Sequence, residues 1–164
     1  MIKKIWDHLE EWILVPMIAF SAVLLFIQVV MRYVFRNSLS WSEELARFLY
    51  IWEVWLGIAY ATKTGEHLRV TLVYNLVKGR AAFILRVAVN ILWLAFGILM
   101  ACIGGQTMIS IMNFGQLSSA MRIPMWLVYL AVPTGAFLMA VRLIEDTVRL
   151  CRAEYRRGRE ETAL

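Results

Sequence analysis

The chain has few residues of the kinds that build enzyme, metal or redox sites. Its 164 residues include only two cysteines and two histidines. Cys102 and Cys151 show no Cys-x-x-Cys or Cys/His ligand spacing, so we expect free thiols and no metal site. Ser/His/Asp nucleophile arrangements and phosphate-binding glycine loops are also missing. The sequence therefore predicts no enzyme activity, and it offers no catalytic, cofactor-binding or metal-binding residues.

Charge is scarce as well. Only 18% of the residues are charged, 61% are hydrophobic and the mean hydropathy is +0.65, whereas about 45–50% apolar residues are usual in a soluble domain. Three uncharged runs approach or exceed the roughly 20 residues that a spanning helix needs: residues 12–31, 87–121 and 123–141. A fourth run reaches that length only if it begins near Leu45 and includes Arg47 and Glu53.

These runs predict an all-α integral membrane protein with a single membrane domain over residues 1–164. The four predicted transmembrane helices cover approximately residues 12–34, 45–62, 84–106 and 123–143. Residues 63–80 carry apolar side chains at helical spacing among cations, which predicts a surface helix between spans two and three. His67 lies in this loop, and we expect it to cap or order the loop.

Basic residues are distributed unevenly between the two sides of the predicted spans. Thirteen of the 17 lie before span one, between spans two and three, or after span four. The other four are Arg32, Arg36, Arg47 and Arg122. The positive-inside rule therefore places both termini, the middle loop and a basic tail at residues 144–164 in the cytoplasm. No motif for nucleic-acid binding accompanies this charge.

A charged cluster at residues 40–47 precedes span two. Ser40 and Glu43 fit the capping-box pattern, which predicts that a helix begins near Trp41. Apolar residues from Trp41 to Trp52 follow at spacings of four, three and four, while Glu43 and Arg47 stand at i, i+4 on another face. We therefore predict an amphipathic lead-in to span two that lies in the outer interface of the membrane.

The same cluster offers ion pairs between spans one and two. Glu43, Glu44 and Arg47 lie near the outer end of span two, and Arg32 lies near the outer end of span one. One interpretation is that these charges fix the helix pair or its contact with a partner. The alternative is a solvated cluster that contributes less than about 1 kcal/mol per pair.

Glu53 is the one carboxylate predicted to lie in mid-membrane, where a charge costs roughly 2.5–3.5 kcal/mol on insertion scales. It is either a structural carboxylate, hydrogen-bonded or protonated, or the site of an autonomous small proton-coupled exporter. Small and polar residues such as Gly57 share its helix, which is typical of contact with another helix. A third hypothesis, a membrane anchor subunit of a redox enzyme, would need paired haem-binding imidazoles, but His8 and His67 both fall in predicted cytoplasmic segments.

Nearly the whole chain resembles a known family. The matching residues are Arg32-Tyr33-Val34-Phe35, Ser40 to Arg47, Trp52, Gly57, Gly65 to Val70, Arg122-Ile123-Pro124-Met125-Trp126, Tyr129, Pro133 and Gly135. Their order and spacing resemble the small membrane subunit, or small permease component, of tripartite ATP-independent periplasmic (TRAP) transporters.

The resemblance implies a non-catalytic subunit of a bacterial inner-membrane transporter. In such systems a large multi-span subunit holds the substrate and sodium, and a periplasmic binding protein delivers organic acids of the C4-dicarboxylate or sialic acid type. This chain would then bind no cofactor and would scaffold its large partner. The candidate partner-interface or structural residues are Arg32, Trp41, Glu43, Glu44, Arg47, Trp52, Glu53, Gly57, His67, Arg122, Pro124 and Trp126.

Overall fold

The computed structural model describes residues 2–64 and 80–162, and its regular elements there are helices. They are α1 (Ile2–Tyr33), α2 (Ser40–Thr64), α3 (Arg80–Asn113), the short α4 (Trp126–Tyr129) and α5 (Ala131–Thr162). The predicted all-α class is therefore confirmed. Most of the predicted surface helix, with His67, falls on residues 65–79 and lies outside the described residues.

Three stretches of helix are long and apolar enough to cross a membrane. They are Glu11–Tyr33, Phe83–Asn113 and Trp126–Arg152. Helix α2 is not among them, and its 25 residues include Glu43, Glu44, Arg47, Glu53 and Lys63. The described helices thus provide three candidate spans where the sequence predicts four.

Helix α2 begins at Ser40 without the predicted capping box. The carbonyl oxygen of Leu39 accepts hydrogen bonds from the backbone N–H groups of Ser42 and Glu43, at 3.0 and 3.4 Å, so Leu39 precedes the first turn. The Ser42 hydroxyl also donates to this carbonyl, and the Glu43 carboxylate pairs with Arg32 instead of returning to the helix start. The helix then continues unbroken to Thr64, with no separate lead-in segment.

The boundary between α4 and α5 follows from Pro133. Proline has no N–H, so it cannot donate to the carbonyl four residues earlier, that of Tyr129. Helix α4 ends at Tyr129, and α5 begins at Ala131, which places Pro133 in the first turn of α5. Helix α5 then extends to Thr162, so residues 144–162 of the predicted tail are helical.

The four long helices pack as an open row. Helix α2 packs against α1 on one side and α5 on the other, and α3 packs against α5, so the order across the row is α1, α2, α5, α3. Burial agrees with this order, because 39% of the span at Trp126–Arg152 is buried but only 11% of the spans in α1 and α3. Both faces of the row therefore remain largely uncovered by the described residues.

Small residues allow the inner helices of the row to approach closely. A Cβ atom added at Gly135 of α5 would lie 2.6 Å from the Cβ of Trp55 and 2.8 Å from its carbonyl oxygen, on α2. Ala59 of α2 and Ala131 and Ala136 of α5 are fully buried. Backbone proximity of this kind is a common basis of helix packing in membranes, where the lipid offers no hydrophobic driving force for association.

Candidate functional site

Polar contacts are concentrated where the start of α2 meets the loop of residues 114–125. We call the end of the helix row that carries this loop and residues 34–39 the loop side. The Glu44 carboxylate lies there and is only 8% exposed. Its Oε2 accepts hydrogen bonds from the N–H groups of Ala120 and Met121 at 3.0 and 2.8 Å and from the Ser118 hydroxyl at 3.2 Å. Its Oε1 accepts a fourth hydrogen bond, from the Ser119 N–H at 3.1 Å.

The loop is shaped to present these donors. Leu117 and Pro124 form an isolated antiparallel bridge, and the Ser118 N–H donates to the carbonyl of Ile123 at 2.9 Å. Arg122 has a φ of +56°, in the left-handed region that reverses the chain direction. Successive N–H groups that converge in this way form an anion-binding concavity. The anion bound here is the carboxylate of the chain's own Glu44.

The pKa of Glu44 reflects two opposing causes. Burial raises the pKa of this carboxyl, but the hydrogen bonds from Met121, Ala120, Ser118 and Ser119 together lower it by more. The pKa consequently lies below the ordinary value for a glutamate. Glu44 is therefore ionised at neutral pH and binds the loop as an anion.

A second ion pair links α1 to α2 on the loop side. Arg32 donates from Nη2 to Oε1 of Glu43 at 2.6 Å, and both side chains are partly exposed. The i, i+4 pair that the spacing favours, between Glu43 and Arg47, is not formed, because Glu43 is occupied by Arg32 on the neighbouring helix. The structure thus brings Arg32 and Glu43 together and leaves Arg47 apart.

The carboxylate of Glu53 also has a partner on α1. The Ser21 hydroxyl donates to Oε1 of Glu53 at 2.5 Å, and Ser21 is 8% exposed. The sequence predicted a hydrogen-bonded or protonated structural carboxylate as one of two roles for Glu53, but it did not identify Ser21 as the partner. A single serine within an apolar run carries little signal, since serine also occurs in spans without any cross-helix contact.

The other predicted residues are dispersed. Trp41 is 47% exposed at the start of α2, while Trp52, Pro124 and Trp126 are half-buried. Gly57 faces open space, with no atom within 4 Å of an added Cβ. His67 lies outside the described residues. Ser118 and Ser119 were not predicted as hydrogen-bond donors to Glu44, because both lie in the uncharged run at residues 87–121 and carry no motif of their own.

The opposite end of the row carries its own polar contacts. Lys63 of α2 pairs with Glu11 of α1 at 3.0 Å. Arg142, whose side chain is 2% exposed, pairs with Glu145 at 3.0 Å. The Asn90 amide of α3 donates to Asp146 and Thr147 of α5 at 3.2 and 3.0 Å. The Lys63 and Asn90 contacts join neighbouring helices in the row, whereas the Arg142–Glu145 pair lies within α5.

Neither metal chemistry nor disulfide chemistry is apparent in these contacts. Within residues 2–64 and 80–162, no three His, Cys, Asp or Glu side chains are grouped so that they could hold a metal ion. Cys102 and Cys151 are both free and exposed, which confirms the predicted free thiols. The observed contacts serve to position helices and a loop.

An apolar helical row with three candidate spans and polar contacts between its helices defines a multi-pass membrane protein. The family of the DctQ component of tripartite ATP-independent periplasmic transporters matches residues 21–153. The chain belongs to this family, as its resemblance to the TRAP small permease component implies. Members of the family are permease subunits and not enzymes, which confirms the prediction of no enzyme activity.

Individual relatives extend the match over most of the chain. It is 27% identical over 173 residues to the C4-dicarboxylate TRAP transporter small permease protein DctQ of Rhodobacter capsulatus, covering 87% of this chain and 76% of the relative. It is 28% identical over 159 residues to the sialic acid TRAP transporter small permease protein SiaQ of Vibrio cholerae, covering 93% of this chain and 87% of the relative.

A third relative has a different arrangement. The isethionate TRAP transporter permease protein DctMQ of Oleidesulfovibrio alaskensis is 33% identical over 119 residues, which are 69% of this chain but only 18% of that protein. The small-permease segment is there continuous with a much longer permease chain. Small permeases of this family partner with a large permease subunit, and in this relative the two are one polypeptide.

Proposed function

We propose that this chain is the scaffold for the large transport subunit of a sodium-coupled TRAP transporter that takes up an organic acid. Membership of the DctQ family over residues 21–153 is the observation that carries the proposal. The relatives named for C4-dicarboxylate and sialic acid transport support a carboxylate substrate of this type. Sodium and substrate bind the large subunit, and a periplasmic binding protein delivers the substrate to it.

The open row of helices supports a scaffold role. The row exposes large apolar side chains on α1, α3 and α5, among them Phe26 at 69%, Leu92 at 70% and Phe137 at 64%. A helical face of this kind can pack on a partner's helices without a binding pocket. Glu53 is hydrogen-bonded to Ser21 within the chain, which supports a structural role over a transport site.

We further propose that α2 crosses the bilayer, so that the chain has four spans in the bacterial inner membrane with both termini cytoplasmic. Its 25 residues measure about 37 Å at 1.5 Å per residue, which is long enough to cross. It also lies between α1 and α5, which both contain candidate spans. Single cysteines at Ser38 and Thr64, in a chain without Cys102 and Cys151, should react with impermeant reagents from opposite sides.

Reconstituted uptake tests the proposed function directly. The chain, its large subunit and the binding protein are purified, and uptake of a labelled C4-dicarboxylate and of sialic acid is measured in proteoliposomes. We expect co-purification of the two membrane subunits and uptake that requires both subunits, the binding protein and an inward sodium gradient. Uptake by this chain alone, or full activity without it, would contradict the proposal.

A further inference from the structure

A cleft on the loop side has a chemical character that the transporter role does not account for. It lies between α2, the 114–125 loop and the α4–α5 segment, and its volume is about 400 Å³. Glu44, Arg47, Ser119 and Tyr129 contribute polar groups to it, and Phe48, Ile51, Met125, Val128 and Val132 contribute apolar ones. A guanidinium, a carboxylate whose two oxygens both accept hydrogen bonds from the 114–125 loop, and an extended apolar wall therefore line the same cavity.

Arg47 is the free cation of this cleft. It is exposed, and in the part of the chain that the structure describes it makes no ion pair or side-chain hydrogen bond. Both neighbouring carboxylates have other partners. Glu43 pairs with Arg32, and Glu44 accepts four hydrogen bonds from the 114–125 loop. A guanidinium with unused donors is well suited to a phosphate group.

The polar and apolar ends of the cleft are ordered along the helix axes. Helices α2 and α5 both run away from the loop side, so residues later in each helix lie farther from it. Ile51 lies about 6 Å farther from the loop side than Arg47, and Val132 about 6 Å farther than Val128, at 1.5 Å per residue. With α2 crossing the bilayer as proposed above, the cation is nearer the membrane surface, and the apolar wall extends below it.

We propose that this cleft binds an anionic phospholipid, with its phosphate on Arg47 and the upper part of one acyl chain against Phe48, Ile51 and Val132. A phosphate above an acyl chain is the order in which the lipid presents its own groups. Charge favours an anionic headgroup over a zwitterionic one, because positive charge is in excess on the loop side. Four arginines lie there against two glutamates: Arg32, Arg36, Arg47 and Arg122 against Glu43 and Glu44. The lipid supplies the counter-charge that Glu43 and Glu44 do not provide to Arg47.

Lipid titration of the purified complex with its large subunit tests this site. After delipidation, binding of palmitoyl-oleoyl phosphatidylglycerol is followed by native mass spectrometry, with the phosphatidylcholine of the same chains for comparison. We expect Arg47→Gln to weaken phosphatidylglycerol binding about tenfold, which is roughly 1.4 kcal/mol at 25 °C. Arg36→Gln is the matched control, because Arg36 is exposed on the loop side but does not line the cleft.

Three further measurements distinguish the occupant. Ile51→Trp leaves Arg47 unchanged but fills the apolar end of the cleft, so it should weaken phosphatidylglycerol binding. In the native chain, millimolar inorganic phosphate should fail to displace the lipid. A photoreactive benzoylphenylalanine at position 51 should give a lipid adduct in cells. Equal losses in Arg47→Gln and Arg36→Gln, equal affinity for phosphatidylcholine, displacement by inorganic phosphate, or a protein adduct at position 51 would each overturn the proposal.

Discussion

At the scale of single residues, Glu44 determines where the loop of residues 114–125 lies. Its Oε2 accepts three of the four hydrogen bonds. The amide nitrogen of a glutamine at that position is itself a donor, so it could not accept these three hydrogen bonds. We expect Glu44→Gln to speed hydrogen exchange at the amides of residues 119–121 severalfold. Glu43→Gln is the control, because its partner Arg32 lies on α1, and unchanged exchange in Glu44→Gln would contradict this account.

The same carboxylate predicts a pH dependence. The pKa of Glu44 is lower in the folded chain than its ordinary value, so the ionised form favours the folded loop. This stabilisation is fully present above the ordinary carboxyl pKa of about 4.3 and is lost as the pH falls through the lower folded pKa. Protection of amides 119–121 should therefore decrease below about pH 4 in the native chain, and Glu44→Gln should lack this component.

Glu53 gives a residue-scale prediction that separates a structural role from a transport role. Removing the donor by Ser21→Ala should destabilise the α1–α2 pair by about 0.6 kcal/mol and by no more than about 1.7 kcal/mol, the range for cross-helix hydrogen bonds in membranes. Glu53→Gln retains an acceptor for Ser21 and should preserve uptake by the reconstituted complex. Loss of uptake with normal assembly would instead favour a proton-coupled site.

The sequence indicated which charges are near one another but not their partners. Arg32, Glu43, Glu44 and Arg47 were grouped by position, yet Glu44 binds backbone N–H groups 75 to 77 residues further along the chain. Every residue except proline has such a group, so nothing in the side chains marks those three. The helical spacing of Glu43 and Arg47 favoured a local pair, but Arg32 on α1 displaced Arg47.

At the scale of helices, hydrophobic runs predicted α1, α3 and α5 well because the bilayer imposes their length and composition. Helix α2 was harder to predict as a span, because its ionisable residues lower its apolar character. The partners of these residues lie on α1 and in the 114–125 loop, which the sequence does not show. The predicted capping box at Ser40 was wrong because Arg32 takes the Glu43 carboxylate. The close approach of α2 and α5 at Gly135 depends on the fold and has no local pattern.

Gly135 provides the element-scale prediction. A valine there would place its Cβ 2.6 Å from the Cβ of Trp55 and 2.8 Å from the Trp55 carbonyl oxygen. This carbonyl belongs to the backbone of α2, so it cannot easily move away to relieve the clash. We expect Gly135→Val to destabilise the chain by about 1–3 kcal/mol, as overpacking does, measured by unfolding in mixed micelles. Gly105→Val is the matched control, because no atom lies within 4 Å of an added Cβ there, and equal losses would contradict the contact.

At the scale of the whole molecule, the four long helices within residues 2–64 and 80–162 form an open row instead of a closed four-helix bundle. This arrangement predicts that cysteines at positions 21 and 53, whose native side chains are in contact, cross-link through a short bifunctional thiol reagent in a chain without Cys102 and Cys151. Cysteines at Phe20 of α1 and Leu99 of α3, which are both exposed, should not cross-link within one chain. Efficient cross-linking of the second pair in isolated monomers would indicate a closed bundle.

The spatial order α1, α2, α5, α3 also has a consequence for biosynthesis. Helices α1 and α2 can pair as soon as both have left the ribosome, whereas the neighbours of α3 in the row are the later α4 and α5. During translation α3 therefore enters the lipid before its packing partners exist. Its strongly apolar sequence is compatible with contact with lipid on all sides until they are made. Helix α5, which is synthesised after α3, joins α3 to the earlier pair.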